Sequence, residues 1–379
     1  VVQLTTDARE HRRDYACANP YFGTAPEALL QGFAALREVE IHVVSCTRQP
    51  MQSPDRLAEN IWFHSLHVPK LGWMRTLYAG CIRATRHKLA QIQPDIVHGQ
   101  GTELDCSISA VHSGFPSVVT LHGIMQEQAK LLRARPGSFY WLAKHLEKHT
   151  LRRTAGVFCN SRYTEETVRR QCRKTWRVPN ALNRAYFDQP IEANRPDRPI
   201  LLNIGLVCLR KRQMELLDLA SAMRREGLDF ELRFLGTANP SDAYAAEFLN
   251  RIRSSDSSIS HQGFKTTVDL IKQFDAASAL VHVPSEESFG LVVAEALARN
   301  LKLFGFKVGG IRDIAEGVDA VELWPDGDWA GLRSGISRWC RAGWSRASGS
   351  AESMRQRYHP EIIALRHLEI YREVLSNRS

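Results

Sequence analysis

With 379 residues, 44% of them hydrophobic and 24% charged, the chain is too long for one compact core and too apolar to stay disordered, so two domains are expected. Its longest apolar runs, such as the one around Ala279 to Val283, fall far short of the roughly 18 residues a membrane span needs. The formal charge of +9 is unevenly spread: residues 1–190 carry 25 Lys+Arg against 16 Asp+Glu and the remainder 25 against 25, so the first half is expected to meet something anionic.

The chain opens on VVQLTT, which reads as a strand and not as a basic segment followed by an apolar one, so no signal peptide is expected. Similar β-branched or apolar runs follow as EIHVVSC, NIWFHSL, DIVHG, SVVTL and AGVFCN, each separated from the next by a polar or helical stretch. Two of these stretches are basic and amphipathic. Met74 to Gln91 holds Arg75, Arg83, Arg86 and Lys88 with no acid, beside Leu77 and Tyr78. Glu127 to Arg153 holds seven basic residues beside Leu131, Leu132, Phe139, Tyr140, Trp141 and Leu142. Helices of this kind either solvate one face and bury the other or lie on an anionic membrane surface. No nucleic-acid-binding motif is present, and no nucleic acid is expected as a partner. Between Asn183 and Pro199 the periodicity stops at Pro190, Pro196 and Pro199, marking a domain seam. The scheme then repeats with PILLNIG, FELRFLG, SISHQG, ALVHV, LKLFGF and DAVEL. Two series of strands alternating with helices imply two Rossmann-like α/β domains with parallel sheets, and a ligand cleft between them at the carboxyl ends of the strands. The eight cysteines are scattered singly, without a C-x-x-C pair, as free thiols of a reducing cytoplasm would be.

The segment richest in chemistry is PSEESFGLVVAEALA, Pro284 to Ala298, which leaves the strand ALVHV and turns helical. A helix starting near Gly290 offers the unpaired amides of Gly290, Leu291 and Val292 to an anion, and Gly290 lets a phosphate come close. Glu295 lies further along the helix, within reach of hydroxyls on the same ligand, and Glu287 stands on the loop at its mouth. A diphosphate, a ribose and a sugar placed at these three points describe a nucleotide sugar.

Glu287, Phe289, Gly290 and Glu295 together resemble the E-x7-E signature of the retaining glycosyltransferases of family 4, enzymes with the GT-B fold. Other stretches are similar to that family in its order: PYFGTAPEALLQGFAAL (Pro20 to Leu36), PDIVHGQG (Pro94 to Gly101), VVTLHGIM (Val118 to Met125), CNSRYT (Cys159 to Thr164), VPNALNRAYF (Val178 to Phe187), NIGLVCLRKRQMELL (Asn203 to Leu217) and VGGIRDI (Val308 to Ile314). The resemblance implies an acceptor-binding domain over 1–186, a donor-binding domain over 187–358, and a closing helix over 359–379 that returns to the first domain. It also implies roles. Glu295 would take the ribose hydroxyls of the donor; Glu287 would take the sugar hydroxyls and developing positive charge; Phe289, Gly290 and Leu291 would present backbone donors. His122 would approach the transferred sugar, Gly23 would let the diphosphate or the acceptor near the first helix, Gly205 would belong to the donor site, and Lys211 would neutralise the diphosphate as it leaves.

The sequence departs from the family where an arginine usually follows the glycine at Gly205, since that position is Leu206; Arg210 or Arg212, beside Lys211, is the candidate to replace the charge. Ala181 stands for the glycine of the P-N-G turn, and Asn300 for a glycine at a helix end, which left-handed geometry tolerates. Asp326-Gly327-Asp328 reads as a turn and not as a metal-binding D-x-D, so no metal site or cofactor is expected. The resemblance implies transfer from a UDP-sugar or GDP-sugar, with retention and without a metal. The basic first half points to an anionic, saccharide or lipid-linked acceptor of cell-envelope glycan, lipopolysaccharide or glycolipid synthesis, reached by peripheral contact with the cytoplasmic face of a membrane. A small soluble acceptor, or a catalytically weak nucleotide-sugar-binding partner of another transferase, are the alternatives. Sugar-nucleotide epimerases share the two-domain form but explain the two glutamates less well.

Overall fold

The β-branched runs become strands, and in the computed structural model, which describes residues 1–192 and 196–377, they divide between two units. Unit 1 comprises Val1–Asn183 and the segment from Tyr358 onward; unit 2 comprises Arg184–Arg357. The strands of unit 1 are β1 (Val2–Leu4), β2 (Ile41–Thr47), β3 (Arg56–Ala58), β4 (Ile61–His67), β5 (Val97–Gln100), β6 (Ser117–Leu121), β7 (Gly156–Cys159) and β8 (Thr175–Arg177). They form one sheet in the order β3-β4-β2-β1-β5-β6-β7-β8, parallel except where β3 runs antiparallel to β4 at the edge. Because helices cover both faces, inner strands such as SVVTL and GVFC are buried at every residue, which is why they read as unbroken apolar runs. The edge strands β3 and β8 escape the sequence reading because three residues, RLA and TWR, are too few to show a period.

The core of unit 1 closes only with the helix Pro360–Ser376. It packs on the helix Thr24–Ala35, and Leu368, Tyr371 and Val374 share a cluster with Phe33 and Phe158. A Cβ on Gly32 would stand 2.1 Å from the Pro360 carbonyl oxygen, so glycine is what allows these two helices to approach.

Unit 2 holds β9 (Ile200–Ile204), β10 (Glu231–Leu235), β11 (Ile259–His261), β12 (Ala279–His282), β13 (Lys302–Phe306) and β14 (Val321–Trp324), all parallel, in the order β11-β10-β9-β12-β13-β14. Phe234, Phe248, Phe304 and Phe306 centre its core. Strand order reverses between β9 and β12 here, and between β1 and β5 in unit 1. Loops leaving the carboxyl ends of such a pair diverge to opposite faces and open a crevice, so each unit has one preferred place for a ligand. Among the described residues no helix is long and apolar enough to cross a membrane.

Candidate functional site

In unit 2 the crevice is built by the loops after β9 and β12. The first runs through Gly205 (φ 150°) into the turn Leu209–Lys211, with the Lys211 stem lying 3.6 Å from where a Gly205 Cβ would stand. The second leaves His282 and ends at Gly290, whose φ of 100° starts the helix Leu291–Ala298 in a conformation that favours glycine. Among the described residues no side chain caps that helix, which leaves its first amides available to an anion. The Ser285 amide donates to the Arg210 carbonyl at 2.8 Å, tying the two loops together.

Between the loops sits a charged array. Lys211 Nζ donates to Glu287 Oε2, and His282 Nε2 lies 3.1 Å from the same oxygen. Burial alone would raise the Glu287 carboxyl, but Lys211, His282 and Arg210 more than offset it and hold it well below the usual carboxylate range. Burial lowers His282 in turn, partly countered by its hydrogen bond to Glu287. Gly290 adjoins the array, since a Cβ there would lie 3.5 Å from Glu287 Cγ. Arg210 donates to the Glu286 carbonyl at 2.8 Å, and Arg212 pairs with Asp326 at 2.5 Å. Leu206 is 56% exposed, and its carbonyl accepts from Gln213 Nε2 at 3.0 Å. Of the three basic residues on this turn, Lys211 is the one joined to the glutamate of the motif. Asp328 caps the helix Trp329–Arg341 by accepting from the Gly331 amide at 2.8 Å, so the D-G-D segment serves as a turn and a cap.

Glu295 is buried deeper in the same helix, where burial pushes its carboxyl up to about 7 against a partial offset from a hydrogen bond with Tyr186. Tyr186 is held by Arg299, the residue after that helix. Its guanidinium is fully buried and bidentate to Asp275 (2.9 and 2.6 Å), and it donates to the carbonyls of Tyr186 (3.3 Å), Gln189 (2.7 Å) and Pro190 (2.6 Å). Phe289 is buried and Leu291 half-buried at the start of the helix.

The raised Glu295 carboxyl makes a stability prediction. Below pH 4.5, its ordinary value, the group is protonated whether folded or unfolded and costs nothing; between 4.5 and about 7 only the unfolded chain ionises; above 7 the full cost is present. Glu295→Gln should therefore stabilise the ligand-free chain at pH 8 by roughly 3 kcal/mol at most, the free energy separating a carboxyl that titrates near 7 from one that titrates at 4.5. The gain should fade as the pH drops and vanish near pH 4, which thermal melts of both proteins across that range would show. A gain that is the same at every pH would contradict the assignment.

In unit 1 the crevice lies at the ends of β1, β5 and β6. Gly23 (φ 84°) starts the helix Thr24–Ala35 and has nothing within 4 Å of where a Cβ would stand. His122 follows β6 and takes part in a buried chain of hydrogen bonds. Its Nε2 meets Gln100 Oε1 (3.0 Å), Gln100 donates to Gln3 (2.8 Å), and Gln3 donates to the Tyr371 hydroxyl (2.8 Å). That hydroxyl meets His98 Nδ1 (2.5 Å), and His98 Nε2 meets Thr120 Oγ1 (2.7 Å). Burial lowers His122 to about 4, with Asn180 as a further hydrogen-bond partner, so the imidazole is neutral at physiological pH. Beside it, Glu103 accepts from the Gly123 amide at 3.0 Å, and burial raises this carboxyl to about 7. Glu103 can thus hydrogen-bond a hydroxyl and exchange a proton near neutrality.

The structure brings Gly205, Lys211, Glu287 and Gly290 together, sets Glu295 further along the helix, and places Gly23 and His122 in unit 1. Sequence reasoning missed His282, Tyr186, Arg299, Gln100, Glu103 and Tyr371. Only His282, a polar residue closing an apolar strand five positions before Glu287, carried a readable signal. The side chains of Cys46, Cys81 and Asp105 in unit 1 lie within 4.8 Å of one another, the one metal-ligand-type group among the described residues. There burial raises the Asp105 carboxyl to about 6, partly offset by the neighbouring Cys46.

Two family models match the chain, Glycosyltransferase Family 4 over residues 26–185 and Glycosyl transferases group 1 over residues 187–351. The α-D-kanosaminyltransferase of Streptomyces kanamyceticus is 24% identical over 224 residues, 54% of this chain and 55% of that one, so the match spans about half the length of this curated relative. Among solved structures, sucrose-phosphate synthase from Thermosynechococcus elongatus superposes with a TM-score of 0.78 at 20% identity, covering 99% of each chain. Anabaena HepE in complex with UDP and glucose superposes with a TM-score of 0.71 at 16% identity, covering 97% of this chain and 98% of its own. Two Rossmann-like units, each matched by its own family model in this order, make the chain a glycosyltransferase of the GT-B type.

Proposed function

We propose that this glycosyltransferase moves a sugar from a nucleotide-diphosphate sugar to an acceptor hydroxyl with retention of configuration and without a metal. The observation that carries the reading is the array of Lys211, Glu287 and His282 beside the uncapped helix at Gly290. The diphosphate sits on the helix amides with Lys211 against it, Glu295 takes the ribose hydroxyls, and Glu287, kept ionised, faces the sugar as positive charge develops. The bond from the anomeric carbon to the diphosphate breaks with its electron pair leaving on the phosphate oxygen. The acceptor oxygen bonds to the same face, and its proton passes to that phosphate oxygen. His122 and Glu103 serve unit 1, the side of the acceptor. A UDP-sugar is the favoured donor because the similar HepE is seen with UDP and glucose.

The acceptor is anionic, a saccharide or lipid-linked, and belongs to cell-envelope glycan, lipopolysaccharide or glycolipid synthesis at the cytoplasmic face of a membrane. What supports this is the basic excess of unit 1 together with its exposed apolar residues. Leu71 (74%) and Leu77 (52%) flank Arg75, and Leu132 (47%) and Phe139 (42%) flank Arg133 and Arg135, as in segments that rest on anionic bilayers. One observation favours a second reading, a nucleotide-sugar-binding partner with weak catalysis: Leu206, exposed, stands where a phosphate-binding arginine is usual.

Thermal unfolding with UDP, GDP and ADP in turn, in EDTA, tests the donor site. Ligand at about 100 times its dissociation constant adds about 2.7 kcal/mol, a rise of roughly 5 to 10 °C for a unit of this size. The rise is expected with UDP and should disappear in Glu295→Ala. No shift with any nucleotide would put the binding-partner reading first, and a product of inverted anomeric configuration by NMR would overturn retention.

A further inference from the structure

Unit 1 has a second concavity, about 530 Å³ in volume, whose wall carries Lys148, Arg152, Arg170 and Arg173 with Gln126 and Gln171. Its construction starts on the helix Phe139–Arg153, where Lys148 and Arg152 are four residues apart and therefore share a face. Arg170 and Arg173 arrive from the turn after the helix Arg162–Val168. Gln126 fixes the two sides to each other, donating from Nε2 to Gln171 Oε1 at 2.9 Å and to Glu147 Oε1 at 3.2 Å.

Glu147 and Glu165, on the two helices that carry or precede these cations, are engaged elsewhere. Glu147 is buried, accepting from Thr102 Oγ1 (2.7 Å) and from the amides of Met125 (2.9 Å) and Gln126 (3.2 Å). Glu165 bonds Thr175 (2.9 Å) and Arg177 (3.0 Å). Among the described residues no carboxylate lines the cavity and none of its four cations has an ion-pair partner. Four like charges around one hollow repel each other, and only a multivalent anion removes that cost through several charge-assisted hydrogen bonds at once. The volume falls within the range of small-molecule sites. Three guanidinium groups suit the planar, bidentate recognition that phosphoryl oxygens accept. The cavity also adjoins the loop after β6: Gln126 on its wall is four residues from His122.

We infer that this cavity binds a phosphoryl group, as a phosphomonoester or diphosphate, on a molecule that unit 1 receives. The assignment rests on unit 1 alone and stands whether or not the proposed donor site in unit 2 does.

The test measures binding of inorganic pyrophosphate to the full chain by calorimetry at about 0.15 M ionic strength, where generic surface attraction is largely screened. Arg170→Ala/Arg173→Ala, both exposed, should weaken binding about tenfold or more. Arg152→Gln should weaken it in the same direction. Arg225→Ala/Arg341→Ala removes the same charge from exposed positions in unit 2 and should leave this binding unchanged. Cosedimentation with phosphatidylcholine vesicles, plain or containing about one-fifth phosphatidic acid, separates the sources. Loss of vesicle binding in the Arg170/Arg173 variant, with pyrophosphate unbound by any form, supports a phosphate presented by a lipid headgroup. Pyrophosphate binding with indifference to vesicles supports a soluble phosphate. Pyrophosphate binding abolished by Lys211→Ala and kept in the Arg170/Arg173 variant would overturn the proposal, as would equal vesicle and pyrophosphate binding in the cavity variant and the charge-matched control. Because the UDP shift and its loss in Glu295→Ala are read separately, failure here is distinct from failure of the donor reading.

Discussion

Replacing Lys211 with alanine is expected to lower kcat for sugar transfer about 10²- to 10³-fold, the usual cost of removing one preorganised group from developing negative charge. The residue is a fixed cation on a turn bonded to the loop of Glu287, so in the proposed mechanism no reorganisation is needed when charge builds on the leaving diphosphate. The loss should have a second signature. In the parent chain Glu287 stays ionised to well below the usual carboxylate range because Lys211, His282 and Arg210 outweigh its burial. Without Lys211 burial weighs more heavily, the Glu287 carboxyl rises, and the pH–rate profile should acquire an acid limb that the parent lacks in the same range. Lys211→Arg should recover part of the rate and remove the acid limb, since it restores charge but not the compact ammonium. Release of UDP from a UDP-sugar, followed against pH, checks both. A loss under about fivefold with an unchanged profile would mean that Lys211 does not face the diphosphate.

Arg299→Met should cost about 3 to 5 kcal/mol, the penalty for breaking a buried ion pair by removing one partner. The guanidinium is 0% exposed and its partner Asp275 8%, so water does not take over for the missing donors. Methionine would strip the Asp275 carboxylate and the carbonyls of Gln189 and Pro190 of hydrogen bonds that now measure 2.6 to 2.9 Å. For a unit of this size the melting temperature should fall by roughly 6 to 20 °C. Asp275→Leu added to Arg299→Met should restore part of the loss, because pairing two apolar groups removes the stranded charge. The single variant should also bind UDP more weakly, since Arg299 holds Tyr186 and Tyr186 bonds Glu295. A melting temperature within about 2 °C of the parent would show that the buried pair contributes little.

Much of the fold was legible because parallel strands covered on both faces leave unbroken apolar runs, and twelve of these runs could be read directly as β1, β2, β4 to β7 and β9 to β14. The segment from Glu287 to Glu295 was equally legible, since a glycine at a helix start between two carboxylates is a local pattern. Asn300, expected in left-handed geometry, has φ 57°. What stayed hidden depends on contacts distant along the chain. Arg299 looks like any arginine at a helix end until the fold brings Asp275 and the carbonyls of Gln189 and Pro190 around it. Tyr371 reads as one apolar position of an amphipathic helix, yet its hydroxyl meets His98, 273 residues away, and through Gln3 and Gln100 steadies His122. The cavity of four cations was visible only as an uneven charge, because those cations come from two segments whose meeting no local period announces.

The return of the chain to unit 1 at Tyr358 has a consequence for biosynthesis. Unit 2 is continuous and can fold as soon as it clears the ribosome, but the sheet that begins with the first residues must wait for the helix Pro360–Ser376 before its core is sealed. Throughout that interval the cluster around Phe33 and Phe158 lacks its cover, and the hydrogen-bond chain ending at His122 lacks Tyr371. A nascent chain stalled after unit 2 would carry a finished unit 2 joined to an unfinished unit 1 with its apolar face open. Such a product is a substrate for chaperones and proteases, so only chains translated through the closing helix would be spared.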